Sequence, residues 1–361
     1  MEKIFEHRIN LIKKYLEENN IDAILINKGC DLFFYTGFNA AGDKATLLIT
    51  KEKNIFITDG RFVEQFENEV KGFELVKNKK LGDTYIIIKD LINDLKIKNL
   101  ALSFEELNFK NYHDAELHNI ELIDIDNLLV ENRRTKTKEE IENIKIACKI
   151  NEEAFIATLE KIKVGMTEKE IRNIINNEIM SRGSEGFAFP TIVGSGEING
   201  ALPHAIPTER KIKKGDFVTI DFGAVYKRFC ADNTRTIAIG KISDELKRIY
   251  EIVLETKNEC EKLIKPGVNT QSIHNYASNK IKDEGYELPH GLGHGLGIAN
   301  HELPRLANSY ESKFKVNDII TIEPGIYIKG IGGVRIEDDY RVTENGVENL
   351  TPNIKTELIT I

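Results

Sequence analysis

The chain has 361 residues, 41% hydrophobic and 30% charged, the proportions of a soluble globular protein with room for two domains. A formal charge of −8 and a pI near 5.7 exclude a phosphate-neutralising surface, so no nucleic acid is expected as a partner. The longest apolar runs are too short to cross a bilayer, so no membrane partner is expected either.

Residues 4–19 carry an amphipathic helix pattern without the apolar core of a signal peptide. IDAILIN (21–27), ATLLIT (45–50) and NIFITD (54–59) read as strands. RFVEQFENEV (61–70) has helical spacing, and DTYIIIKDLINDLK (83–96) predicts another helix. NLALSF (99–104) reads as a strand, and ELHNIELIDID (116–126) closes the region. Alternating strands and helices predict an α/β domain. Cys30, Cys148, Cys230 and Cys260 form no CxxC pair and fit no disulfide framework, which points to a reducing, cytoplasmic setting.

The charged stretch from residue 131 precedes Thr137-Lys-Glu-Glu140, a capping-box pattern, and then a long helix with Ile141, Ile144, Ala147, Cys148, Ile150, Ala154 and Phe155 on its apolar stripe. We place the domain boundary here, giving domains 1–130 and 131–361. The second domain repeats itself. Gly165 matches Gly267, Ile171 matches Ile273, Asn173 matches Asn275, Ile179 matches Ile281 and Gly183 matches Gly285, always 102 residues apart. GDFVTIDFG (215–223) matches NDIITIEPG (317–325) at the same offset. Two similar halves are expected, each helix-rich and then a β-hairpin, packed face to face with a site between them.

The repeat gives the carboxylates meaning. Asp221 ends an apolar strand and Asp232 follows 11 residues later; Glu323 holds the matching position and Glu337 follows 14 later. One acid on each arm of each hairpin lets all four converge. Four converging carboxylates repel, and burying them without a cation is costly. Two divalent metals would balance four acids. The segment HGLGHGLGIANHELP (290–304) supplies His290, His294 and His301 among four glycines, which let backbone pass close to such a cluster. One imidazole would complete the metal shell, and the others would face the reaction.

These segments resemble the "pita-bread" metallopeptidases, a group holding methionine aminopeptidase, aminopeptidase P, prolidase and creatinase. The resemblance rests on IDFGAVYKRFCADNTRT, HGLGHGLGIANHELP, TIEPGIY and VRIEDD and covers residues 131–361. Residues 1–130 resemble the N-terminal domain of aminopeptidase P, prolidase and creatinase, which methionine aminopeptidases generally lack. The implied fold is α/β (α+β), a creatinase-like α/β domain followed by a pita-bread domain with a pseudo-twofold internal repeat. The implied ligands are Asp221 for one metal, His294 and Glu323 for the other, and Asp232 and Glu337 bridging both. Manganese comes first among the implied metals, with cobalt, zinc and iron as alternatives. Glu323 is the implied proton acceptor, and His204 and His301 would hold substrate and stabilise the tetrahedral intermediate. Arg335 is expected to orient a ligand carboxylate, with His290 supporting the site from behind, although His290 taken alone reads as structural.

The implied activity is hydrolysis of the bond before proline in a small peptide. A tertiary amide with a restricted ring suits a small site with an apolar slot, for which Phe187 and Phe189 are candidates against a plain core role. Arg305 resembles an arginine that meets a dipeptide's carboxylate in some prolidases, while longer Xaa-Pro peptides stay open. The alternatives are a methionine aminopeptidase-like enzyme and a non-catalytic peptide-binding relative. A homodimer is also implied by the resemblance.

Overall fold

The computed structural model describes residues 2–39, 45–78, 80 and 82–361, and the chain divides into two units, Met1–Asn132 and Arg133–Ile361. In the first unit, helix α1 (Glu2–Glu18) precedes strand β1 (Ala23–Ile26), whose AILI is buried throughout. Helix α2 (Gly29–Thr36), strands β2 (Ala45–Thr50) and β3 (Asn54–Thr58), helix α3 (Val63–Glu69) and strand β4 (Glu74–Lys77) follow. Helix α4 (Thr84–Asp94), strand β5 (Asn99–Leu102), helix α5 (Phe109–Asp114) and strand β6 (Glu121–Asp124) complete it. The sheet order is β4-β3-β2-β1-β5-β6. β1 pairs antiparallel with β2 and parallel with β5, so the sheet is mixed. Tyr85, Ile88 and Ile92 of α4 pack on Leu25, Leu48, Ile57 and Leu100 from its strands.

Three elements here escape the sequence patterns: α2, β4 and α5, the last a short helix with no buried residue. β4 is an edge strand with half-exposed ELVK, so it lacks the apolar run of a buried strand. α2 has no side-chain cap at its start and ends on Gly37, at φ 73°, whose N–H donates to Phe33 O. Within 116–126, a 3-10 turn at Leu117–Asn119 precedes the strand proper.

The charged ENRR at the boundary is helical: it forms the end of helix α6 (Asp126–Arg134). Arg133 and Arg134 lie in its last turn, where cations suit the helix dipole. In helix α7 (Lys138–Leu159) both capping-box bonds form: Thr137 N–H donates to Glu140 Oε2 at 2.8 Å, and Glu140 N–H to Thr137 Oγ1 at 3.3 Å. Helix α8 (Glu168–Ser181), strand β7 (Ile192–Ser195), strand β8 (Phe217–Phe222), the short pair β9 (Val225–Tyr226) and β10 (Phe229–Cys230), and strand β11 (Asn233–Ala238) form the first half. Helices α9 (Asp244–Leu263) and α10 (Thr270–Asp283) open the second half. Strands β12 (Gly293–Gly295), β13 (Glu302–Leu306), β14 (Ile319–Ile322), β15 (Gly325–Ile328), β16 (Gly332–Arg335), β17 (Asp338–Val342) and β18 (Val347–Asn349) follow.

The halves repeat bond for bond. Gly165 N–H donates to Ile212 O and Gly267 N–H to Phe314 O, both at 2.9 Å. Both glycines sit at positive φ, 91° and 85°, where a side chain is strained. Thr167 bridges Lys211, and Asn269 bridges Lys313. The sheets run β11-β8-β7 in one half and β13-β12-β14-β17-β18 in the other. They meet where Glu337 N–H donates to Thr234 O at 3.0 Å. Behind the first sheet Phe155 stacks on Phe222 at 5.4 Å, with Ile171, Ile175 and Ile179 beside them. Behind the second lie Ile273, Leu306, Ile320 and Tyr340. With both cores at the backs of the sheets, the polar ends of β8, β11, β14 and β17 are left to build a site.

Candidate metal centre and active-site cavity

Asp221 lies near the end of fully buried β8, in register with Thr234 on β11 and Ile192 on β7. Asp232 stands one residue before β11, Glu323 one after β14, and Glu337 between β16 and β17. His294 is the middle residue of β12, where a register shift between His294 and Gly295 turns the strand locally. A Cβ on Gly293 would collide with Thr321 O, and one on Gly295 with Leu303 O. The glycines therefore let β12 lie tightly between β13 and β14, which fixes where His294 stands.

Ligand atoms of Asp232, His294 and Glu337 all lie within 4.8 Å of one another. His294 Nε2 is 3.5 Å from Glu323 Oε1 and 3.6 Å from Asp232 Oδ2. Its Nδ1 is 3.0 Å from Gly295 O, which can only accept, so Nδ1 carries the hydrogen and the Nε2 lone pair faces the acids. Asp221 stands a step aside: its Oδ2 accepts from Arg335 Nη2 at 2.6 Å. Asn300 Nδ2 donates to Asp232 Oδ2 at 3.2 Å, and Thr234 Oγ1 to Glu337 Oε2 at 2.7 Å. Asp221 Oδ1 and Asp232 Oδ1 are buried with no hydrogen-bond partner. Asp221 and Asp232 are thus each anchored by one oxygen and leave the other bare, next to a cluster that holds a neutral imidazole. That donor set fits divalent cations.

The cost of the cluster appears in its titration. Burial first, then Glu337, Asp221, Asp339 and Glu323, push Asp232 well above the usual carboxylate range. Burial, with Glu323 and Asp221, does the same to Glu337. Burial pushes Glu323 up to about 8, against the pull of Arg335. Burial, together with His301, pushes His294 down to about 3, and burial pushes His290 down to about 4. The pH dependence of the metal-free protein follows. A raised carboxyl contributes stability that is complete below its ordinary value of about 4.3 and is lost as pH rises through its folded value. A depressed histidine contributes stability that is complete above about 6.5 and is lost on acidification. Between about pH 6.5 and about 8, therefore, the histidine contribution is complete while that of Glu323 is being lost. Thermal unfolding of metal-stripped protein should show Tm falling across this window, and saturating divalent metal should flatten the curve. A metal-free Tm that rises from pH 6.5 to 8 would contradict this electrostatic reading.

A cavity of about 990 Å³ opens over the cluster. Phe187, Phe189, His204, His290, His301, Arg305 and Arg335 line it together with Asp221, Asp232, His294, Glu323 and Glu337. The His301 ring stands 4.1 Å from that of His294, centroid to centroid. Burial, then Arg305, keeps the His301 imidazole below its ordinary value. Phe187 is 40% exposed, a wall residue and not a core aromatic.

Four residues that the sequence reading did not single out, Thr234, Asn300, Tyr327 and Asp339, join Arg335 in holding the site. Arg335 donates from Nε to Thr234 Oγ1 at 3.1 Å and from Nη1 to Tyr327 Oη at 2.7 Å and Pro203 O at 3.0 Å. Tyr327 Oη in turn lies 3.1 Å from His290 Nε2. Arg335 thereby ties Asp221, Glu337 by way of Thr234, and the backbone before His204 into one frame. Asp339 Oδ2 accepts the Asp232 N–H at 2.9 Å and lies 3.4 Å from Cys148 Sγ. Thr234 could have been found from strand alternation, since it faces Asp221 across the hairpin. Asn300 sits within the histidine segment, and Tyr327 lies four residues past Glu323. Asp339 closes the VRIEDD segment, but nothing in that segment says that it holds the Asp232 N–H.

Known proteins match this chain along nearly its whole length. The model of metallopeptidase family M24 matches residues 142–344, and that of the creatinase/prolidase N-terminal domain matches 8–135. An Xaa-Pro dipeptidase of Pyrococcus furiosus is 36% identical over 349 residues, 96% of this chain and 98% of that protein. The solved Xaa-Pro dipeptidase from Bacillus anthracis is 36% identical, with TM-score 0.92 over 99% of this chain and 100% of that one. The X-Pro aminopeptidase from Thermotoga maritima is also 36% identical, with TM-score 0.84 over 95% and 98%. A creatinase-like N-terminal domain thus precedes a catalytic-type domain whose paired acids and imidazole share one cavity, and the chain belongs to metallopeptidase family M24.

Proposed function

We propose that the protein is a dinuclear-metal exopeptidase that hydrolyses the bond between an N-terminal residue and proline, in dipeptides or longer peptides. The observation that carries this reading is the approach of Asp232, His294 and Glu337 within 4.8 Å, on a cavity that Asp221 and Glu323 also line. Four carboxylates call for two divalent cations, and oxygen-rich donors with one imidazole suit manganese first, then cobalt, zinc or iron. When bound, the metals supply Lewis acidity towards the scissile carbonyl and acidify water.

The chain's own groups do the rest. Glu323, whose Oε1 is 3.5 Å from His294 Nε2, would take the proton of the attacking water. His301, kept neutral at pH 7, can offer one N–H to the substrate's developing oxyanion, and His204 shares the cavity with it. Phe187 and Phe189 offer an apolar wall to the proline ring. The exposed Arg305 offers a planar fork to a dipeptide's terminal carboxylate. A cytoplasmic homodimer belongs to the same proposal, and four buried free thiols suit a reducing compartment.

Protein stripped of metal and reloaded with manganese should hydrolyse Ala-Pro, Ala-Pro-Ala or both, and leave Met-Ala-Ser intact. Cleavage of Met-Ala-Ser alone would favour a methionine aminopeptidase. Binding of peptide without any cleavage would favour a non-catalytic relative.

A further inference from the structure

Three guanidinium groups line the cavity, and they are not equivalent. Arg335 is committed to Asp221. Arg305 projects from β13. The third, Arg172, comes from α8, whose Ile171, Ile175 and Ile179 are buried while Arg172, Asn173 and Asn176 line the cavity. Asn176 Oδ1 accepts from Thr191 Oγ1 at 2.6 Å, and the next residue, Ile192, stands opposite Asp221 between β7 and β8. Arg172 lies four residues back along the helix from Asn176, about 6 Å at 1.5 Å per residue. This side of the cavity therefore runs from the acid cluster, past Asn176, to a guanidinium.

Among the described residues that guanidinium is bonded only to the amide oxygen of its neighbour Asn173, from Nε at 3.2 Å and Nη2 at 2.8 Å. Among the described residues no carboxylate pairs with it. The acid one turn earlier, Glu168, is buried and already accepts from Ser195, Asn199 and Thr208. A guanidinium facing a substrate cavity without an acid partner is a receptor for a planar anion.

We propose that Arg172 is a specificity-determining residue that binds the carboxylate of peptides extending beyond the proline. The inference rests on the Xaa-Pro reading above. Each added residue moves the terminal carboxylate outward by about 3.5 Å, so one arginine cannot serve a dipeptide and a tripeptide equally. A cavity of about 990 Å³ is at the upper end of small-ligand sites and has room for the longer peptide.

The test compares kcat/KM for Ala-Pro-Ala, its C-terminal amide and Ala-Pro-Glu amide in the manganese-loaded wild type, Arg172→Gln and Arg172→Glu. The wild type should prefer the free acid over the amide by about fivefold or more, a partly exposed charge-assisted pair being worth that much. Arg172→Gln should erase the preference and Arg172→Glu invert it, whereas a purely structural role for Arg172 would lower both substrates together. Recovery of the preference with Ala-Pro-Glu amide would assign Arg172 to an acidic side chain as well as to the chain end. An acid preference that survives both substitutions, or is absent from the wild type, overturns the assignment while leaving Xaa-Pro cleavage intact. Failure of the wild type to cleave any of the three while it still cleaves Ala-Pro would overturn this inference alone; failure on Ala-Pro as well would overturn the functional reading and this inference with it.

Discussion

Asp232→Asn should lower Xaa-Pro hydrolysis by about a thousandfold or more and remove metal-dependent stabilisation, yet raise the Tm of the metal-free protein. Asp232 supplies one of the three ligand atoms that lie within 4.8 Å of one another, so no neighbour can take its place. Its Oδ1 is buried without a partner, and burial, then the neighbouring acids, push its ionisation well above the usual range. An amide of the same shape removes that repulsion. A relief of 1–2 kcal/mol corresponds to roughly 2–8 °C for a domain of this size. Calorimetric scans with and without manganese read both effects. If the variant kept wild-type hydrolysis, Asp232 would not be a ligand; if it lost stability without metal, the repulsion reading would be wrong.

Asp338→Asn should act in the opposite sense and destabilise the second unit by about 3–5 kcal/mol with or without metal. Asp338 is adjacent to Glu337 and as deeply buried, but it pairs with Arg235 through Oδ1 and with Lys257 Nζ at 2.6 Å through Oδ2. Burial would raise its pKa, but these two cations outweigh burial and hold it at about 2. Its contribution is therefore present above its ordinary value of about 3.9 and is lost as pH falls through about 2. Substitution leaves two buried cations short of a charge, the costliest way to break such a network. Denaturant titration at neutral pH tests this, and a loss below about 1 kcal/mol would show that water or neighbouring groups solvate Arg235 and Lys257 after all. Successive positions of an extended chain face opposite ways, so Glu337 joins the acids in the cavity while Asp338 meets the cations behind it.

Much of this arrangement was readable in advance because the second unit states it twice. The 102-residue offset survives as duplicate hydrogen bonds at Gly165 and Gly267. It slips at the second acids, since Asp232 follows Asp221 by 11 residues while Glu337 follows Glu323 by 14, and β15 and β16 take up the longer excursion. The charged run at residue 131 marks a boundary in the sequence but gives no sign of its own structure: it forms the end of α6, and Arg134 there finds the buried Asp318 at 2.8 Å, 184 residues away. No local pattern carries such a pairing. The same holds for Arg335, whose partners Asp221 and Thr234 come from the other half of the repeat, and for Asp339, which holds Asp232 through a backbone N–H. Residue types and spacing revealed the ligand candidates. The groups that aim them are set by tertiary contacts.

The most direct measurement is hydrolysis of Ala-Pro and Ala-Pro-Ala by one preparation before metal removal, after it, and after titration with manganese. Release of the N-terminal alanine from at least one of the two should vanish on removal and return in full as two equivalents of metal per chain are restored. Unchanged release by the stripped protein, or none from either peptide at saturating metal with the fold intact, would contradict a dinuclear Xaa-Pro peptidase built on these acids and His294.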